Sequence, residues 1–414
     1  MGETLLRLAA FALGLVILLA TANSLIRTLV VPRVSSSVIS NAVAGGTLWA
    51  VARCAGAFRT YRKRDASQAW GGPLVILGLL VVWLNLFWLG YALMLTGYHN
   101  LSLVSGFREA GSSLFTLGYA TNERVSLVLL DFAAAATGPI VIGLMIGYLP
   151  TLYSAFSRRE VEVTQLDWQA GEPNWGPELL ARQSELGSLE ELGELYRAWT
   201  TWAADVSETH TTYSVLIAIR STRYKRNWVV SLLAVMDAAA LQLSLMPELP
   251  AARARLVLRV GMECLRAIGA ILDRDLAAEG RRSPLGQDTE RPVTLSREEF
   301  DRGVRRLKRA ALPITVDEDE GWRLFCLWRE RYEAWAYSIA LRIDAVPSWW
   351  SGPRRYVEPV IPTPEMEPLD EMGPAVATLR KSQHKPPPSK TARNRQRNRA
   401  KNDPAARKKS RPSS

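Results

Sequence analysis

The stretch Phe107–Glu123 reads FREAGSSLFTLGYATNE, and it lies between the two most apolar runs of a 414-residue chain. Before it comes Pro73–Gly97, PLVILGLLVVWLNLFWLGYALMLTG, in which Asn85 is the only strongly polar side chain. After it comes Ser126–Phe156, followed at once by Arg158 and Arg159. Each run is long enough to cross a hydrocarbon layer of about 30 Å as a helix. The first is preceded by RTYRKR, Arg59–Arg64. Basic residues therefore bracket the pair, and basic flanks stay on the cytoplasmic side. The two runs read as a hairpin with both outer ends in the cytosol. The Tyr98–Arg124 connection then faces the opposite side.

Within that connection Thr116–Tyr119 is T-L-G-Y, preceded by a short stretch of helical character. The order of spanning helix, short helix, T-L-G-Y and spanning helix resembles the pore module of potassium channels, whose filter signature is T-V-G-Y-G. Phe107, Glu109, Ala110 and Ser113 look like the pore-helix pattern that precedes that filter in two-helix channels. The resemblance covers about Leu74 to Arg159. The segment from Ser207 to Leu241 is similar to the helical region that follows the pore module in some actinobacterial proteins grouped with these channels.

The resemblance implies a filter and ion-binding segment of Thr116, Leu117, Gly118, Tyr119 and Ala120. It also implies a pore helix carrying Phe107, Glu109 and Ser113. A filter replaces the hydration shell of a cation with backbone carbonyls, and glycine reaches the required backbone angles without a Cβ penalty. The Thr116 hydroxyl would supply an inner ligand, and the Tyr119 ring would pack outward against the pore helix. One chain supplies one loop, so a closed pore implies four chains. Asp131 is the expected pore-mouth charge, and Gly138-Pro139 the expected hinge, because Pro opens the helical hydrogen-bond ladder. Three departures stand out. Leu117 replaces Val, and Ala120 replaces the second glycine, at about 1 kcal/mol if that position is left-handed. Thr121-Asn122-Glu123 stands where an acidic residue usually follows.

Around this module the chain changes character. Leu5–Val31 is a further apolar segment. Ala20-Thr21-Ala22 has the small-residue spacing of a signal-peptide cleavage site, but apolar character resumes through Leu25 to Val31, so a retained span is expected. Val34–Phe58 reads as an interfacial helix or a weak second span. From Glu160 to Val346 the pattern is amphipathic helix. Ser188 with Glu191 has capping-box spacing, and Leu192, Leu195, Tyr196, Trp199 and Trp202 follow at helical intervals. Arg302–Ala311 and Trp322–Arg342 read as two more helices. Trp228–Met246 is apolar enough to span, yet one extra crossing would carry the basic tail to the outside. A buried helix is expected there, with Asp237 paired to a buried Arg or capping a neighbouring helix.

Charge is concentrated in the tail. Arg380–Ser414 holds thirteen Lys and Arg against one acid, Asp403, so the rest of the chain sits near −1 although the whole carries +11. The basic balance therefore describes the tail and does not point to a nucleic-acid-binding fold. From Pro347 onward prolines replace aliphatic periodicity, and disorder is expected. The tail suits anionic lipid or non-specific nucleic acid as a partner. Cys54, Cys264 and Cys326, with His99, His210 and His384, lie too far apart for a metal or disulfide framework. Glu208 and His210 have no further ligand at metal spacing. No nucleophile elbow, phosphate loop or paired-carboxylate set appears, so an enzyme is not expected.

The fold class expected is an all-α membrane protein. Residues 1–72 carry an N-terminal span and interfacial segment, and 73–159 the pore-loop module. Residues 160–346 form a helical cytosolic domain, and 347–414 a disordered basic tail. Two functions fit: a tetrameric cation channel of the bacterial inner membrane with its C-terminus in the cytosol, potassium the implied ion and no other cofactor; or a non-conducting scaffold that keeps the fold for self-association. In either case the cytosolic region would meet an unknown partner.

Overall fold

The computed structural model describes residues 2–31, 37–99, 102–120, 125–278 and 293–352. Thr121-Asn122-Glu123 and the basic tail lie outside the described residues. All regular structure among the described residues is helical. In chain order the helices are α1 (Gly2–Leu29), α2 (Val38–Ala55), α3 (Tyr61–Gln68), α4 (Gly71–His99), α5 (Leu103–Leu114) and α6 (Val125–Ala170). They continue with α7 (Gly176–Glu185), α8 (Leu192–Thr212), α9 (Val215–Ala218), α10 (Trp228–Leu245) and α11 (Ala251–Ala278). The last three are α12 (Arg297–Arg309), α13 (Glu318–Arg329) and α14 (Glu333–Arg342). Met1–Val360 forms one compact unit.

Among the described residues four helices are long and apolar enough to cross a membrane: α1, α4, α6 and α10. They meet different fates. The protein buries 94% of α10 but only 11% of the apolar window of α1. Every residue of α10 except Leu243 is enclosed by neighbouring helices, so α10 has no face left for lipid. The apolar faces of α1, α4 and α6 stay open, with Leu13, Val16, Leu77, Val81, Ile140 and Ile146 exposed. These three remain the membrane candidates.

α1 runs antiparallel to α4. Arg7 donates to the Gly97 and Tyr98 carbonyls at α4's far end, while Ser24 meets the Trp83 indole N–H. Between these points the backbones approach so closely that a Cβ on Gly90 would lie 2.7 Å from Leu18. Without a hydrophobic drive between helices in lipid, such close approach supplies the packing. α2 flanks the near half of α4, with Val43 against Gly78 and Leu48 against Gly71. It is not apolar enough to count among the four candidates.

α6 is 46 residues long and unbroken, about 69 Å at 1.5 Å per residue. Its buried residues include Asp131, Ala134, Gly138, Val141, Met145, Leu152, Ala155, Arg159, Val163, Leu166 and Ala170, at steps of three and four or their sums, with Asp167 buried beside Leu166. The upper part of this stripe packs on α4 and α5, and the lower part enters the core of a second bundle, α7–α14. The boundary expected at 159/160 therefore falls inside a continuous helix. Arg158 and Arg159 end the apolar run, but nothing there ends the helix.

In the second bundle α10 is the axis. Asp237, buried within it, accepts from Arg329 Nη1 at 2.6 Å and from the Tyr332 hydroxyl at 2.8 Å. Arg329 also donates to Glu333 Oε2 and to the Trp350 carbonyl. The expected pairing of Asp237 with a buried Arg is thus in place. Three expectations change. Ser188 does not cap through its side chain; its hydroxyl instead donates to Gln183 Oε1 at 2.7 Å. A formed capping box is at Ser296 and Glu299. Trp322–Arg342 is two helices, separated by a turn at residues 330–332 from which the Tyr332 hydroxyl reaches Asp237. Order also continues past Val346: Trp350 is buried against Phe325 and Trp175, and two indoles hold a stretch without periodicity.

Candidate functional site

α5 is a twelve-residue helix wedged between α4 and α6. Ser102 caps it by accepting from the Ser105 amide. It buries Gly106, Glu109, Ala110, Gly111, Ser112, Ser113 and Leu114, mostly small residues that admit close neighbours. Trp88 of α4 clasps it: the indole N–H donates to the Phe107 carbonyl at 2.8 Å, and the two rings meet edge to face at 5.2 Å. Ser113 Oγ donates to Asp131 Oδ1 of α6 at 2.8 Å, and Glu109 is also buried. Asp131 is therefore turned into the bundle against α5 rather than standing open to solvent, and it ties α5 to α6.

After Leu114 the chain leaves the helix and folds back on it. The Phe115 amide donates to the Gly111 carbonyl and the Thr116 amide to the Ser113 carbonyl. The Leu117 and Gly118 amides both donate to the Ser112 carbonyl, at 2.8 and 3.3 Å. The Ala120 amide donates to Ser112 Oγ at 2.9 Å. Among the described residues, no donor reaches a carbonyl between Phe115 and Ala120. The loop thus spends its donors inward and keeps its acceptors. Its side chains Phe115, Leu117 and Tyr119 are exposed. The Tyr119 hydroxyl donates to the Arg108 carbonyl at 3.4 Å, and the Arg108 guanidinium lies over its ring, so the ring rests on α5.

Two loop residues take left-handed backbone angles, Gly118 (φ 67) and Thr116 (φ 55). Ala120 does not. The cost expected at Ala120 therefore falls on Thr116, since a β-branched residue at positive φ carries about 1–3 kcal/mol of strain. Gly138 has a different role from the one its neighbour Pro139 suggests. A Cβ there would lie 2.0 Å from the Leu114 carbonyl oxygen, so Gly138 is what lets α6 reach the end of α5. Pro139 stands inside α6 and removes the amide that Ala135 would have received, while the helix continues through it. Next to them Thr137 Oγ1 hydrogen-bonds the Tyr91 hydroxyl at 2.8 Å.

The lower half of α6 meets the second bundle through Arg159, which is fully buried. Its guanidinium donates to the Leu216 and Ile219 carbonyls, at 2.9 and 2.8 Å, and to Glu160. It also donates to His210 Nε2 at 3.1 Å. Burial first, then the Arg159 charge, hold His210 well below its ordinary pKa, so the ring is neutral and accepts. The segment held this way, Tyr213–Ile219, inserts between the start of α4 and the middle of α6. Leu216 packs on Leu152 and Ala155, and Tyr213 meets Tyr148 edge to face. Glu208 takes no part, and no metal-binding group occurs among the described residues.

The structure thus brings together Phe107, Glu109, Ser113, Thr116–Ala120, Asp131 and Gly138 around α5. Sequence reasoning missed Ser112, Trp88 and Arg159. Ser112 was hidden by its neighbour Ser113, and only helical phase separates their roles. Arg159 read as one of two flanking charges, whereas Arg158 is exposed and paired with Asp205. No family model matches the chain, and neither does any curated protein or solved structure.

Proposed function

We propose that this protein is a potassium-channel-like membrane protein in which copies of the chain, four in the simplest closed ring, assemble around the Thr116–Ala120 loop and α6 to pass a cation. The observation that carries the reading is the polarity of the loop. The amides of Thr116, Leu117, Gly118 and Ala120 are bound back to α5, while among the described residues no donor reaches the loop carbonyls, and carbonyls free of donors are what a dehydrating cation requires. Irregular backbone at membrane depth is tolerated where it lines a cavity. The face of α6 opposite α4 and α5 supports self-association: a Cβ added at Gly143 or Gly147 would meet no neighbouring element within 4 Å, and this small-xxx-small spacing permits close helix contact. In this reading the α7–α14 bundle is the regulatory part, connected to the pore through Arg159 and the Tyr213–Ile219 segment.

Purified full chain in liposomes is expected to raise potassium flux above that of protein-free vesicles. Gly118→Val, which forces a branched side chain onto a left-handed angle, is expected to abolish the flux. Background flux from both wild type and Ala120→Gly would remove conduction. The second reading, a non-conducting scaffold, draws on the Ala120 amide being tethered to Ser112 Oγ, which closes the loop onto its own chain. Cross-linking gives a tetramer under both readings; flux separates them.

A further inference from the structure

α3 has two faces of opposite use. Tyr61, Arg64, Asp65 and Gln68 recur at helical spacing and turn toward the second bundle. Arg64 pairs with Asp344 at 2.6 Å and Asp65 with Arg220 at 2.6 Å, while the Tyr61 hydroxyl donates to the Asp344 carbonyl. The two acids at this face, Asp65 and Asp344, are both taken up by these inward pairs. The outward residues are Arg62 and Lys63, and the preceding turn adds Arg53 at the end of α2 and Arg59 before α3. All four are exposed, and none forms an ion pair among the described residues.

Their height along the molecule is fixed by packing. Leu48 of α2 touches Gly71 at the start of α4, so Trp49 and Trp70 stand level with the point where α4's apolar run begins. Both indoles are largely exposed, at 68% and 65%, and Phe58 at 42%. Arg53 lies one helical turn beyond Trp49, about 6 Å farther from the apolar band. An aromatic rim followed at once by unpaired cations is the pattern of a headgroup contact, with indoles at the interface and basic residues against lipid phosphates.

We propose that Arg53, Arg59, Arg62 and Lys63, with Trp49 and Trp70, form a docking surface for anionic phospholipid headgroups in the leaflet on the side of the α7–α14 bundle. The occupant is lipid and not a soluble acidic protein, because the exposed indoles adjoin the exposed apolar face of α4 at Leu74 and Leu77. Lipid docked here reaches the second bundle directly, since α3's other face is bolted to Asp344 and Arg220, and Arg62 lies 5.9 Å from the Tyr224 ring. The proposal rests on the membrane placement of α4 and does not require that the loop conduct.

The test titrates the detergent-purified full chain with phosphatidylglycerol or phosphatidylcholine and counts bound lipids by native mass spectrometry. Wild type is expected to prefer phosphatidylglycerol, with the preference falling steeply as salt rises. The variant R53Q/R59Q/R62Q/K63Q is expected to lose it by an order of magnitude or more, at roughly fivefold per residue. R53K/R59K/R62K is expected to keep it. A chain ending at residue 379, without the basic tail, is also expected to keep it. A salt-independent preference, a preference lost with the tail, or one retained in the quadruple variant overturns the proposal. The salt and tail arms need no patch variant to fold. Flux is not the readout, so failure here and failure of conduction are separable.

Discussion

α4 and α10 are nearly alike as strings of letters, and the molecule treats them as opposites. Both are long apolar helices with a single strongly polar interruption or two. α4 keeps an outer face of Leu74, Leu77 and Val81 open, while α10 is enclosed by α7, α8, α11, α13 and α14. The polar residues differ in the same sense. In α4 Asn85 satisfies itself locally, its amide donating to the Val81 carbonyl one turn back. In α10 Asp237 is ionically tied to a residue 92 positions away. Hydropathy reports a demand for an apolar environment but does not say whether lipid or protein supplies it. The charged partner of Asp237 shows that protein encloses this part of α10, because an ion facing lipid would be left uncompensated.

The sharpest way to break this contrast is Arg329→Met. It strands Asp237 and Glu333 in a dry core, and removing one partner of a buried ion pair costs about 3–5 kcal/mol. Denaturation followed by near-ultraviolet dichroism is expected to show the α7–α14 bundle unfolding early, while Arg7→Met at the α1–α4 end has a much smaller effect. A loss below about 1 kcal/mol for Arg329→Met would mean that apolar packing alone organises α10.

Next in size is Gly138→Ala. Its added carbon meets the Leu114 carbonyl oxygen, and overpacking of this kind costs about 1–3 kcal/mol. Thermal melting in detergent should fall, and any cation flux should fall with it, whereas Gly143→Ala on the open face should leave melting of the isolated chain unchanged.

A third effect depends on pH. The fold keeps His210 neutral, so below its ordinary value near 6.5 the unfolded chain takes up a proton that the folded chain does not. Stability is then complete above about pH 6.5 and declines as pH falls, by up to about 1.4 kcal/mol per pH unit. His210→Gln removes this component, so the wild-type melting temperature should fall relative to the variant's as pH drops from 6.5 to 5. A difference that stays flat over that range would refute the buried neutral ring.

The smallest expected effect is Ser112→Ala, which orphans the Ala120 amide but spares the two bonds to the Ser112 carbonyl. A lost hydrogen bond of this sort is worth about 0.5–1.5 kcal/mol. Amide exchange at Ala120 should quicken while exchange at Leu117 stays slow.

Much of this architecture was readable from periodicity. The apolar runs locate α1, α4 and α6, and the change to amphipathic spacing at Glu160 marks where a second core begins. Leu192, Tyr196, Trp199 and Trp202 are in the face of α8 that packs inward. The rest depended on contacts between distant residues. Nothing near Asp237 announces Arg329, and nothing near Pro347 says that Trp350 is needed to complete a core. At the loop, Gly118 could be assigned a left-handed angle from its type alone. Thr116 could not, because its angle is imposed by the amides that Ser112 and Ser113 draw back.

The uninterrupted stripe of α6 gives the molecule the mechanics of a torsion bar. Between Asp131 and Ala170 there is no loop to act as a swivel, over about 60 Å. A roll of the α7–α14 bundle about this axis must therefore reappear beside the Leu114 carbonyl, less whatever twist is taken up where the hydrogen-bond ladder lacks a rung, at Pro139 and Pro150.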